Sequence, residues 1–109
     1  MTDIPFGQGS GNVFADMGFP PAEAAELTVK SALITTIGDT IKARKLTQRE
    51  AARLCGTDQP TLSKVLRGRM ESVTIDRLAA WLTALGRTVE IRVRPYDRRT
   101  TIGGLVVTP

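Results

Sequence analysis

The sequence contains no histidine, and Cys55 is its single cysteine among 109 residues. Without histidine there can be no His-ligated metal site and no catalytic triad that uses histidine as its base. One cysteine can form neither an intramolecular disulfide nor a multi-cysteine zinc site, which fits a reducing compartment. No general base lies near Cys55 in the sequence, so we expect a small core residue there, not a nucleophile. We therefore expect no enzyme, no metal and no cofactor.

Long apolar runs are also missing, since no stretch approaches the roughly 18 consecutive apolar residues that a membrane-spanning helix needs. Residues 1–29 contain no lysine or arginine, so they lack the basic start of a secretory signal. Both absences favour a cytoplasmic location without membrane contact. With 41% apolar and 24% charged residues, the chain suits one small folded domain that carries short arms.

Positive charge is concentrated in one part of the chain. Residues 42–69 hold eight basic residues and two acidic ones, whereas residues 1–29 hold four acidic residues and no basic one. Such an excess is typical of a surface that binds a polyanion, and a solvated basic face is the alternative. Eleven of the 15 basic residues are arginine, which suits the bidentate recognition of phosphate and bases.

Residues 1–21 are predicted to form a flexible arm, because glycine and proline recur along them. The Gly-x-Gly-x-Gly spacing at 7–11 could indicate a phosphate loop, but no predicted strand precedes it and no helix follows directly, so the arm is favoured. The arm still carries several large apolar side chains, which either fold back onto the core or dock on a partner. These are Phe6, Phe14, Met17 and Phe19.

Four helices are predicted over residues 22–86. The first spans residues 22–45, and Gly38 inside it would mark a close helix crossing or a kink. A capping box, Thr47 with Glu50, begins the second helix, which runs to about Leu54. Asp58 begins the third helix, and Thr74 begins the fourth. Glycines follow the last three helices, at Gly56, Gly68 and Gly86.

After the last helix the apolar period changes from 3.6 to 2. Val89, Ile91 and Val93 alternate with charged residues, which predicts a half-buried strand that stops at Pro95. Residues 102–107 would form a second short strand or a tail. The edge of the first strand could pair with the same edge of a second copy, and packing within one monomer is the alternative. The predicted organisation is an arm over 1–21, a helical domain over 22–86, and C-terminal strands and tail over 87–109.

The second and third helices are joined by a tight turn at residues 55–57, as in a DNA-binding helix-turn-helix. Ala52 is small enough for the helix crossing, and Gly56 tolerates the positive φ of the turn. An apolar inner face is expected from Ala51, Cys55, Leu62 and Val65. Thr57 departs from the pattern, because the position after the turn glycine is usually apolar.

The outer face of the third helix then carries groups suited to DNA. Glutamine can bond adenine, threonine can touch a base or the thymine methyl, and lysine can donate to guanine. An ordinary polar helix face is the alternative. We predict base-reading roles for Gln59, Pro60, Thr61 and Lys64, and phosphate contacts for Gln48, Ser63, Arg67 and Arg69.

The stretch QREAARLCGTDQPTLSKVLRG at 48–68 resembles the Xre/Cro-type helix-turn-helix. The resemblance extends to SGNVFADMGF at 10–19 and LTALGRTVEIRV at 82–93, which look like HigA-type antitoxins and the related phage-associated Xre regulators. It implies a mainly α fold, namely a four- to five-helix Xre/Cro-like domain with one or two short C-terminal β-strands. Residues 96–109 look unlike the common pattern.

The resemblance also implies partners. It implies a homodimer that binds a palindromic operator in double-stranded DNA and represses transcription, often from its own promoter. It further implies capture of a small, basic RelE/HigB-like ribonuclease toxin, as in type II toxin-antitoxin pairs. For that surface we predict Phe14, Met17 and Phe19 as apolar anchors, and Asp16, with Glu23 and Glu26, as the acidic groups that meet a basic toxin. A stand-alone phage-type regulator is the alternative, and an interaction module that no longer binds DNA is a third.

Overall fold

The computed structural model describes residues 13–99 and 103–108. Along these ranges the chain forms five α-helices and one 3₁₀ turn. They are α1 (Val13–Asp16), α2 (Pro21–Ala43), α3 (Gln48–Cys55), α4 (Gln59–Leu66), the 3₁₀ turn Met70–Ser72 and α5 (Ile75–Ala84). No helix in this part of the chain is long and apolar enough to cross a membrane. The glycine-rich stretch at 7–11 and Phe6 lie outside the described residues.

The long helix α2 forms the centre of the molecule. Pro21 occupies its first turn, where the missing N–H costs no hydrogen bond. After the last turn of the helix, Lys45 adopts a left-handed φ of 55°. The N–H of Leu46 then donates a hydrogen bond to the carbonyl of Ile41 at 3.0 Å. The predicted apolar face is confirmed, because Leu33, Ile34, Ile37 and Ile41 are all buried, whereas Leu27 is only partly buried.

The interior is a single apolar cluster in which α2 packs against α5 and α4, and α3 packs against α4 and α5. Its largest fully enclosed side chains are Ile37, Leu62, Leu78, Leu85 and Val65. Each such side chain stabilises the fold by about 1.5–3 kcal/mol relative to an exposed position. Helix α5 begins at Thr74, whose hydroxyl accepts a hydrogen bond from the N–H of Arg77 at 3.3 Å, as predicted.

Gly38 lies inside α2, which continues through it as regular helix. A Cβ placed there would meet only Cδ2 of Leu66, at 4.0 Å, which is an ordinary contact distance. The predicted close helix crossing is therefore not what keeps a glycine at this position.

The predicted C-terminal strand is not formed anywhere in residues 13–99 or 103–108. Val89 is partly buried against the core, but Ile91 and Val93 are 88% and 89% exposed. Val107 also packs on the core, while Leu105 stays exposed. Alternating apolar residues create one apolar face, but a strand also needs a neighbouring backbone that completes its hydrogen bonds. The described tail lies beside residues 87–91 without supplying such a ladder.

Part of the predicted arm is folded. Helix α1 packs on α2, and the rings of Phe14 and Phe19 meet edge to face with their centroids 6.2 Å apart. Phe14 is half-buried, whereas Met17 is 67% exposed. The two phenylalanines thus pack on each other, and the methionine remains on the surface.

Candidate nucleic-acid interface

The turn between α3 and α4 has the geometry that the sequence predicts. Gly56 adopts a left-handed φ of 71°, and its N–H donates to the carbonyl of Arg53 at 3.1 Å. The N–H of Thr57 donates to the carbonyl of Ala52 at 2.9 Å, so the polar residue at this position still closes the turn. These two hydrogen bonds close the tight turn that joins the two helices.

The inner face of the helix pair is confirmed. Ala51, Ala52, Leu62 and Val65 are at most 2% exposed, so both helices are fixed to the core through small and branched side chains. Cys55 is half-buried, and its Sγ donates to the carbonyl of Trp81 at 3.8 Å. Burial raises the pKa of the Cys55 thiol, which favours the protonated form at neutral pH.

The capping box at the start of α3 is complete. The hydroxyl of Thr47 accepts from the N–H of Glu50 at 3.1 Å, and the Glu50 carboxylate accepts from the N–H of Thr47 at 2.8 Å. The hydrogen bond from the Thr47 backbone lowers the pKa of Glu50. The carboxylate therefore stays ionised while it holds the helix start that carries Gln48.

Helix α4 begins in a similar way. The carboxylate of Asp58 accepts from the N–H of Thr61 at 2.7 Å, and this backbone hydrogen bond lowers the pKa of Asp58. Pro60 lies in the first turn, where no intrahelical donor is lost. Both helices thus begin at defined residues, which fixes the positions of the side chains on their first turns.

The side chains predicted to read bases lie together on the first turns of α4. Gln59, Pro60 and Lys64 are exposed, while Thr61 is half-buried. The Nε2 of Gln59 donates to the Oε1 of Gln48 at 3.4 Å, so a predicted base contact and a predicted phosphate contact adjoin each other. This hydrogen-bonded pair lies at one edge of the helix-turn-helix.

Two further arginines lie beside this edge. Arg49 and Arg53, both exposed, line a shallow depression of about 530 Å³ together with Asp58, Gln59 and Pro60. Their guanidinium groups add positive charge next to the start of α4. The charge excess over residues 42–69 included them, but only the fold shows that they adjoin the predicted contact residues.

The predicted phosphate contacts at the end of α4 lie on a short, well-defined loop. Arg67 and Arg69 are exposed on either side of Gly68, which has a left-handed φ of 101°. The N–H of Arg69 donates to the carbonyl of Lys64 at 3.1 Å, and the Ser72 hydroxyl donates to the carbonyl of Arg69 at 2.9 Å. Ser63, the remaining predicted contact, is half-buried on α4.

Lys30 was not singled out from the sequence, although its position offered a signal. It precedes Ile34, Ile37 and Ile41 by four, seven and eleven residues, which puts it on the apolar face of α2. It is 7% exposed, and its Nζ donates to the carbonyl of Met70 at 3.1 Å. At the other end of α2, Nη1 of Arg44 donates to the carbonyl of Leu85 at 3.0 Å.

The other predicted site residues lie on separate elements. Phe14, Asp16, Met17 and Phe19 belong to α1 and the turn that follows it. Val89, Ile91 and Val93 belong to the extended segment after α5. The fold therefore brings together the predicted DNA contacts, but not these two groups.

The comparisons with known proteins agree with this architecture. A family model described as a helix-turn-helix domain matches residues 13–94 of the chain. A solved structure described as a "Putative XRE Family Transcriptional Regulator" is 29% identical and superposes with a TM-score of 0.73, over 80% of this chain and 98% of that chain. No curated protein matches this chain in sequence. The matched residues include all five helices described above.

Proposed function

Because this chain belongs to the helix-turn-helix domain family and is similar in fold and sequence to an XRE family regulator, we propose that it is a sequence-specific transcriptional repressor. The observation that carries this proposal is the exposed polar face of α4, which begins beside the N-terminus of α3 and is followed by two exposed arginines. Such a helix has the size and the donor groups that the DNA major groove accepts.

Each predicted contact has a chemical role in this proposal. Gln59, Pro60, Thr61 and Lys64 meet base edges from the first turns of α4. Gln48 at the start of α3 and Ser63, Arg67 and Arg69 along and after α4 contact phosphates, which set the orientation of α4 in the groove. The adjacent amides of Gln48 and Gln59 support this division, since one can bind phosphate while it orients the other toward a base.

A pair of variants tests this assignment on an operator selected from random duplexes. Gln59→Ala should weaken operator binding by about 1–3 kcal/mol and leave binding to mixed-sequence DNA nearly unchanged. Arg69→Ala should weaken both and lower the salt slope by about 1 per subunit. Fluorescence anisotropy over a salt series measures both quantities. Equal losses on both DNAs for Gln59→Ala would refute the base-reading role.

We also propose a homodimer on a palindromic operator. Two observations support it: Ile91 and Val93 are almost fully exposed, and their segment forms no strand ladder in the described residues. Pairing of Val89, Ile91 and Val93 with the same segment of a second copy would cover these side chains. A two-fold dimer would then present its α4 helices about 34 Å apart, to match half-sites one helical turn apart.

Sedimentation equilibrium tests the dimer. Ile91→Asp should shift the protein to monomer, because a charge would enter the apolar contact, whereas Arg92→Ser on the alternate side of the segment should remain dimeric. A dimer of unchanged stability in Ile91→Asp would remove this segment from the interface.

For the biological role, we propose an antitoxin that captures a RelE/HigB-like toxin through its N-terminal region. The support is the resemblance of residues 10–19 to HigA-type antitoxins, together with the exposed Val13 and Met17 beside the acidic Asp16. Apolar anchors flanked by acidic groups suit a small basic partner.

Co-expression with a RelE/HigB-like toxin tests this role. Deletion of residues 1–19 should abolish toxin capture and leave operator binding intact. A truncated protein that still neutralises the toxin would contradict the proposed surface. A full-length protein that binds operator but captures no such toxin would favour the stand-alone regulator.

A further inference from the structure

Lys30 is the only charged residue that is buried in the part of the chain described here. Its side chain is 8% exposed, although an ammonium group is strongly hydrated and costly to bury without partners. The proposed DNA contacts do not include Lys30, which lies on the apolar face of α2. A buried ammonium therefore needs a structural reason.

Two oxygens satisfy this ammonium group. The Oε2 of Glu26, one turn earlier on α2, lies 3.1 Å from Nζ and supplies the opposite charge. The second partner is the carbonyl of Met70, also at 3.1 Å, which belongs to a residue 40 positions further along the chain. Glu26 is about half exposed, so the ion pair is in contact with water. The same ammonium group also binds the Met70 carbonyl.

The Met70 carbonyl belongs to the loop that carries the proposed phosphate contacts. Met70 directly follows Arg69, and its N–H donates to the carbonyl of Gly68 at 2.8 Å. The backbone N–H of Arg69 donates to Lys64 in α4, and its carbonyl accepts from Ser72 in the same loop. Among the hydrogen bonds of the described residues, the one from Lys30 is the bond that joins this loop to α2.

We propose that Lys30 is a positioning residue for DNA binding: its ammonium, held on the Met70 carbonyl, fixes the loop from which Arg67 and Arg69 reach phosphate. This inference rests on the proposed function. A guanidinium group binds phosphate more tightly when its backbone is already held in the bound geometry, because less conformational entropy is lost on binding. The core helix thus adds a directed hydrogen bond to the packing of the Met70 side chain on the core, and this bond sets the position of the phosphate contacts.

Lys30→Met is the variant that tests the proposal, since methionine keeps an apolar stem of similar length and removes the ammonium. Arg44→Met is the matched control, because Arg44, which follows the last residue of α2, also donates to a backbone carbonyl, that of Leu85, away from the loop. The probe is a fluorescein-labelled mixed-sequence duplex, titrated well below the melting temperature of every variant. Lys30→Met should lower the affinity about fivefold, and Arg44→Met should leave it within about twofold.

A double-mutant cycle shows whether Lys30 acts through Arg69. In the Arg69→Ala background, Lys30→Met should cost less than about twofold further affinity, because the contact that it positions is already gone. Full additivity of the two losses would overturn the proposal. Equal losses in Lys30→Met and Arg44→Met would also overturn it, since they would indicate a general effect on folding.

Hydrogen exchange without DNA gives a second measurement. The amides of Arg69 and Val73 should exchange faster in Lys30→Met, while those of Gly86 and Arg87 should not change, and Arg44→Met should show the reverse. Unchanged exchange at Arg69 would refute the positioning role. If Lys30→Met does not fold, Lys30→Gln keeps a polar donor on a shorter stem and should show smaller shifts in the same direction. If the wild-type protein binds no duplex DNA, the proposed function fails, and this inference fails with it.

Discussion

The helix-turn-helix segment, residues 47–68, and the C-terminal segment, residues 87–108, meet the core in different ways. The first buries Leu62 and Val65 completely, whereas the described residues of the second contribute only the partly buried Val89 and Val107. A helix satisfies its backbone within itself, so an apolar stripe is enough to fix it on the core. An extended segment must find a second backbone. An amphipathic pattern therefore indicates which side chains favour burial. A helix with such a pattern can form without a second backbone, whereas a strand cannot.

The largest expected difference between the two segments is in stability. Leu62→Ala should lower the free energy of unfolding by about 2–5 kcal/mol, because it leaves a cavity where α4 meets the core. Ile91→Ala, at an exposed position, should change it by less than about 0.5 kcal/mol. Urea denaturation at low protein concentration, where a dimer would dissociate, measures both. A comparable loss in Ile91→Ala would break the comparison and show that the C-terminal segment is packed within the monomer.

A helix cap should give the next largest effect. Thr47→Ala removes the hydroxyl that accepts from Glu50, and it should destabilise the protein by about 1 kcal/mol. Thr88→Ala, in the exposed C-terminal segment, is the matched control and should be nearly neutral. Thermal unfolding by circular dichroism compares them, and equal shifts would argue against the capping box as a source of stability.

Gly38→Ala should stabilise the protein by about 0.5–1 kcal/mol. Alanine is the better helix former, and a Cβ at this position meets only a side-chain atom at 4.0 Å. Gly104→Ala in the C-terminal segment also has open space around it, and it should change stability by about zero if that segment is loosely held. The two variants measured side by side by chemical denaturation sharpen the comparison. Destabilisation by Gly38→Ala would show that α2 and α4 approach more closely than this 4.0 Å contact indicates.

The smallest expected difference between the two segments is in how the free energy of unfolding changes at acidic pH. Asp58 caps α4, and its pKa is lowered by the hydrogen bond from the Thr61 backbone; the pKa of Asp97 is lowered by the side chain of Arg99. A carboxyl whose pKa is lower in the folded state adds stability above its unfolded pKa, and this stability disappears as the pH falls through the folded pKa.

The protein should therefore lose this stability below about pH 4, which is near the ordinary pKa of aspartate. Asp58→Asn should flatten the acid limb of a stability profile that is measured by urea denaturation across this range. Asp97→Asn should change the profile less, because its partner Arg99 is only two residues away on the exposed C-terminal segment, and such a local surface pair adds little to the stability of the fold. An identical acid limb in wild type and Asp58→Asn would contradict the role of this cap.

Much of the helical part could be predicted from the sequence because its signals are local. The capping residues Thr47, Asp58 and Thr74 and the turn glycine Gly56 act within one helical turn, so the bounds of α3, α4 and α5 follow closely. The same local register correctly gave the buried face of the helix pair. The contacts of the predicted site residues with DNA, with a second copy and with a toxin stay predictions, because each depends on a partner.

The sequence by itself determined where α3, α4 and α5 begin and end and which faces of the longer helices are apolar, since caps, glycines and apolar spacing act over a few residues; it did not indicate α1, which lies in the predicted arm. The tertiary structure decided the long-range pairings. It placed the Lys30 ammonium on the Met70 carbonyl, 40 residues away, and Arg44 on the carbonyl of Leu85. Within the part of the chain that the structure describes, it also left residues 88–94 without a strand ladder. The physical reason is that these outcomes depend on which backbone groups the packed helices bring within hydrogen-bonding distance, and no local pattern specifies that.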